Sequence, residues 1–149
     1  MKKLKKFHTK VLVIAEKMKW LPGLLTRLTL GVMFVEAGWG KLGHIAKVTQ
    51  FFLELGIPMP EFHAWLVALT ELVCGALLIV GVFVRYASVA LAITMGVALV
   101  TAKSESIETI TDIAGVPEFL YIILLSWLAV FGAGSISLYR ALGNPWAKK

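Results

Sequence analysis

Four long apolar stretches run along the chain, at residues 24–42, 62–83, 86–102 and 119–138, with polar segments between them. Each has about the 17–25 residues that an α-helix needs to cross ~30 Å of hydrocarbon. None alternates apolar and polar positions as the strands of a membrane barrel do. The pattern predicts an all-α integral membrane four-helix bundle. Pro22 and Pro117 suit the first turns of the first and fourth spans, and Trp20, Trp39, Trp65, Tyr86 and Trp146 fall where an interfacial aromatic belt lies.

The polar segments carry patterns of their own. Leu4, Phe7, Val11, Ile14 and Met18 recur every three or four residues among lysines, which predicts a basic amphipathic helix over residues 1–20. Such a helix lies on an anionic leaflet or docks a partner. Val35-Glu36-Ala37 imitates a signal-peptide cleavage site, but the basic region before it is too long for one. Residues 21–140 form the membrane domain and residues 141–149 a short basic tail. Between the first two spans, Ile45, Val48, Phe51, Phe52 and Leu55 have helical spacing and stop at Gly56 and Pro58, predicting a short helix packed on the bundle mouth. Ile107, Ile110 and Ile113, three apart, predict a shorter amphipathic turn between the third and fourth spans.

Composition agrees with a bilayer setting. Hydrophobic residues make up 58% of the 149 and charged residues 16%, and mean hydropathy is +0.82. A surface that poor in charge cannot coat a water-soluble domain. Cys74 is the single cysteine, so neither an internal disulfide nor a CxxC redox pair exists. The +6 net charge has a topological origin. When the four spans are threaded in alternating directions, Lys2, Lys3, Lys5, Lys6, Lys10, Lys17, Lys19, Arg27, Arg85, Arg140, Lys148 and Lys149 share one side, and only Lys41, Lys47 and Lys103 face the other. The positive-inside rule then makes both termini cytoplasmic. No nucleic-acid reading motif accompanies the basic residues, so nucleic acid is not an expected partner.

Three ionisable residues fall within spans: Arg27, Glu36 and Glu71. At a span's centre such a group costs about 2.5–3.5 kcal/mol on insertion scales, so it needs a partner, a cavity or a task. Arg27, Gly31, Phe34, Gly38 and Lys41 share one face of the first span; Ala64, Ala68, Glu71 and Gly75 share one face of the second. The two faces should meet, with Gly31, Gly38, Gly75 and Gly81 as helix-packing positions. An arginine arm at position 27 is expected to reach Glu71, while Arg85 anchors a turn at the headgroups. Glu36, on the far side of the first helix, must find Lys41, a polar group on another helix, or a proton. Two readings of Glu71 stand side by side: half of a buried structural pair, or a proton-exchanging residue in a cavity.

Other chemistry finds less support. His44 and His63 lie near Glu61 without a fixed helical pair, so no metal site is expected, and no histidine sits at the depth a haem requires. Phosphate loops, nucleophile elbows and nucleotide fingerprints are absent from the sequence. Small residues at Ser88, Ala92 and Gly96, and at Ala133 and Ser137, read as packing stripes, with homo-oligomerisation the alternative.

Taken together, the motifs resemble the DoxX family of small bacterial four-span membrane proteins. The run Arg27, Gly31, Phe34, Gly38, Lys41, Leu42 matches that family's first span, Phe52 with Gly56 and Pro58 matches its loop, and Glu71, Gly75, Gly81 and Arg85 match its second span. The resemblance covers roughly residues 24–140. Relatives often carry a histidine where this chain has Ala37, and Glu36 is an added acid. The family is linked to quinol oxidation and to a thiosulfate:quinone oxidoreductase, so the resemblance implies an inner-membrane accessory subunit of a redox system. It would bind a quinone-like lipophile or dock a partner redox protein, with Arg27, Glu36, Lys41 and Glu71 as polar-site candidates. The chain carries no recognisable cofactor motif, so any electron carrier is borrowed. A small proton-coupled transporter or channel, and a scaffold recruiting soluble enzymes, are the competing expectations.

Overall fold

The computed structural model describes Leu12, residues 16–102 and residues 110–132. Among the described residues the helices run in order α1 (Trp20–Gly43), α2 (Ile45–Glu54), α3 (Pro60–Val80), α4 (Val84–Ala102), α5 (Ile110–Gly115) and α6 (Pro117–Phe131). There is no strand among the described residues. By length and composition α1, α3 and α4 are each able to cross a membrane, and α6 is a shorter apolar helix. Most of the expected surface helix at residues 1–20, the basic tail at 141–149 and the last part of the fourth span at 133–138 lie outside the described residues.

The helix ends follow local chemistry. Pro60 and Pro117 open α3 and α6, where a missing N–H costs no intrahelical bond. Gly81 closes α3 at φ 80°, and its N–H donates to the Leu77 carbonyl at 2.9 Å. That left-handed turn strains any residue with a Cβ. Gly81 thus acts as a helix stop, while Gly31, Gly38 and Gly75 pack closely against a neighbouring helix. The expected loop helix is present as α2, and residues 110–115 of the second polar segment form α5.

The four long helices form a ring in which α1 packs on α3, α3 on α4, α4 on α6, and α6 only lightly on α1. The α1/α3 seam is the closest. A Cβ added at Gly38 would stand 2.5 Å from the Leu72 nitrogen, and one at Gly75 2.8 Å from the Val35 nitrogen. Gly31 meets Ile79 and Gly75 in the same way. Small residues let two backbones touch, which is how helices associate where apolar solvent supplies no hydrophobic drive. The shared core gathers Leu30, Phe34, Leu78, Val84, Ala87, Leu91, Met95, Leu125 and Leu128. Outward, Val32, Leu69, Val73, Ile93, Val97, Ile123 and Val130 stand exposed, a surface matched to lipid and not to water.

Candidate functional site

The α1/α3 seam also builds the polar site. Gly38 lies against Ala68 and Leu72, which sets Glu71 level with it, and Lys41, one turn beyond Gly38 on the same face of α1, reaches back to Glu71. Lys41 Nζ and Glu71 Oε2 form a close ion pair with a hydrogen bond. Glu71 is buried at 1% exposure, whereas the Lys41 side chain keeps 31%. The lysine head therefore reaches in from the mouth while its stem covers apolar surface.

This arrangement corrects the expected pairing of Arg27 with Glu71. The seam sets Glu71 level with Gly38, and Arg27 lies 11 residues, roughly 16 Å, further along α1. Arg27 is itself buried, at 3% exposure, toward the opposite end of the bundle. Glu36 is exposed on the face of α1 turned away from α3, so it does not join the pair. Arg85 is exposed at the start of α4, with its Nε 3.1 Å from where a Cβ on Gly132 would stand. That places a cation beside the C-terminal end of α6, where the helix dipole favours it. Ser88 is fully buried on α4, whereas Gly96 faces open space.

Beside the ion pair lies a cavity of about 610 Å³. Leu30, Met33, Phe34 and Ala37 of α1, Val67 of α3, Met95 and Ala98 of α4, and Tyr121 of α6 form its apolar wall, and Lys41 and Glu71 its polar patch. Phe34 and Tyr121 meet edge to face at 5.9 Å across the light α1/α6 contact. At the mouth, Val48, Phe51 and Phe52 of α2 and Leu55 just beyond it complete the lining, together with Lys47, His63 and Glu118. The packed leucines at positions 78, 91, 125 and 128 fill the opposite end of the bundle. An apolar hollow of this size with few polar groups is the usual form of a small-molecule site.

Sequence reasoning passed over His63 and Glu118 as pocket residues. His63 carries the one legible signal, standing eight residues before Glu71 and so about two turns along one face of α3. Nothing in the sequence shows that Glu118 joins it, because the two line one cavity only through the arrangement of the helices. Among the described residues no three His, Cys, Asp or Glu side chains come together as a metal site would require.

The chain matches the DoxX family over residues 23–104. The protein belongs to the DoxX family. It is 31% identical over 112 residues, 75% of this chain and 78% of the relative, to a Bacillus subtilis (strain 168) protein named "Putative oxidoreductase CatD". It is 28% identical over 126 residues, 83% of this chain and 93% of the relative, to "Inner membrane protein YqjF" of Escherichia coli (strain K12). Over 83 residues, 55% of this chain and 51% of the relative, it is 34% identical to "Uncharacterized membrane protein Rv3486" of Mycobacterium tuberculosis (strain ATCC 25618 / H37Rv). No solved structure matches the chain significantly.

Proposed function

We propose that this DoxX-family protein binds a quinone-like lipophile in the cavity between its helices, as an accessory subunit of a redox system in the bacterial inner membrane. The observation that carries the reading is the 610 Å³ apolar cavity with the Lys41–Glu71 pair on its wall. Its size and lining fit an aromatic head with an apolar tail. A bound quinone supplies reversible two-electron, two-proton chemistry. Lys41 donates a hydrogen bond to a ligand carbonyl, and Glu71 orients the lysine head and holds a proton at its carboxyl oxygens when the pair opens. Arg27, Glu36 and Arg85 lie apart from this work. The relative named as an oxidoreductase lends the redox setting, and the inner-membrane relative the location. Both termini sit in the cytoplasm in this reading, with α2 and the pocket mouth on the outer side.

Binding is favoured over conduction by the leucine layer that closes the hollow at the end away from α2. The test is titration of the protein in nanodiscs with a decyl-substituted benzoquinone. Saturable binding weakened about tenfold or more in Lys41→Leu is expected, about what one charge-assisted hydrogen bond contributes. Binding indifferent to Lys41→Leu and to a bulky residue at Ala37 would overturn it.

A further inference from the structure

The outward face of α1 carries a carboxyl where lipid is expected. Leu25, Thr29, Val32, Glu36, Trp39 and Gly43 all stand exposed on it, away from the seam with α3 and from the cavity. With α1 centred on ~30 Å of hydrocarbon, Glu36 lies roughly 7 Å from the midplane. It makes no hydrogen bond or ion pair among the described residues. Its arm is shorter than those of the lysine and arginine side chains that snorkel to the headgroups. An ionisable group so placed is costly unless another polar group meets it.

Two further features of the face bear on what meets it. The six positions are separated by four, three, four, three and four residues, the seven-residue repeat with which two helices stay in contact along their length. In that repeat Thr29, Glu36 and Gly43 form one row and Leu25, Val32 and Trp39 the other. The second feature is room. A Cβ added at Gly40 or Gly43 would meet nothing within 4 Å, and Trp39 beside them is 71% exposed. In a parallel pair of such helices the knob at position 39 enters a hole formed by positions 36, 39, 40 and 43 of the facing helix, so the two glycines of one copy take up the indole of the other.

We propose that a second copy of this chain, inserted in the same direction, covers the face and makes a parallel dimer through α1. A foreign helix would need a polar group at the matching depth, whereas a second copy brings Glu36 to the depth of Glu36 by symmetry. A proton held between the two carboxyls lets one donate and the other accept. Because the cavity lies on the other side of α1, at Leu30, Ala37 and Lys41, the dimer leaves each ligand site open.

The test is energy transfer between full-length copies labelled at the amino terminus with a donor or an acceptor dye, reconstituted in liposomes and followed as added lipid dilutes the protein. The wild type is expected to give the saturable curve of a dimer. Glu36→Leu should shift its midpoint to about three- to thirtyfold higher protein density, the worth of a hydrogen bond between helices in a membrane. Gly40→Leu, whose added Cβ meets nothing in its own chain, closes the hole and should shift the midpoint at least as far. Glu36→Gln, whose amide both donates and accepts, should associate as the wild type does. Neither Glu36 nor Gly40 holds its own bundle together, so an unchanged melt in detergent marks each variant as folded. Transfer no greater than chance proximity in the wild type, a dimer indifferent to Glu36→Leu and Gly40→Leu, or a Gln variant as weak as the Leu variant would overturn the proposal.

Discussion

The α1/α3 seam and the cavity beside it share two helices but are built by opposite means. Along the seam, side chains are removed: Gly31, Gly38 and Gly75 bring backbone against backbone until a single added carbon has nowhere to go. A short rotation round α1, Leu30, Phe34, Ala37 and Lys41 line a hollow shared with α4 and α6. The contrast shows that the hollow is not loose packing in a weak bundle. It is held open by a seam that fixes the register of α1 on α3 and thereby the meeting of Lys41 with Glu71.

The most damaging way to break that contrast is to put volume where the seam excludes it. Gly38→Leu forces a Cβ to within 2.5 Å of the Leu72 nitrogen, and backbone cannot give way as a side chain does. The expected loss exceeds the roughly 1–3 kcal/mol of ordinary overpacking, visible as aggregation or a collapsed melting transition in detergent. A variant that melts like the wild type would mean the seam is not the keystone.

Next in size comes the ion pair, where the two deletions should be unequal. Lys41→Leu strands Glu71 at 1% exposure and should cost about 3–5 kcal/mol, as breaking a buried pair does. Glu71→Leu should cost less, because Lys41, with 31% of its side chain exposed, can turn toward the mouth. The double variant should recover most of the loss. Reversible denaturation of the three variants measures the order, and equal losses would contradict the geometry.

Filling the hollow is predicted to do little to stability. Ala37→Phe adds volume to a space of about 610 Å³ and should shift stability by no more than about 1 kcal/mol while abolishing lipophile binding. The smallest effect belongs to Glu36→Leu. Glu36 is exposed on the lipid side, so the variant should bind ligand as the wild type does and be no less stable, checked by the same titration and melt.

Much of the fold was legible because it rests on local patterns. Apolar runs of bilayer length gave α1, α3 and α4, and the spacing from Ile45 to Leu55 gave α2, with its stop at Gly56, where φ is 69°. The seam was legible for a related reason, since small residues and charges recur on one face of each helix. The partner of Glu71 was not, because it depends on register between helices. The arm of Arg27 was expected to close the gap to Glu71, whereas Gly38 against Ala68 and Leu72 sets Glu71 about three turns of α1 away from Arg27. The cavity itself left no trace in the sequence, because a hollow between four helices is a property of their spacing. Glu118, in the first turn of α6, lines that hollow through the placement of the whole helix.

The central claim is that the space beside Lys41 and Glu71 exists to hold a lipophile, and the most direct measurement is native mass spectrometry of the protein released gently from its own membrane, wild type beside Ala37→Phe. The account predicts one stoichiometric adduct of quinone-like size on the wild type and none on the filled variant. A bare wild-type chain, or the same adduct on both proteins, would contradict it.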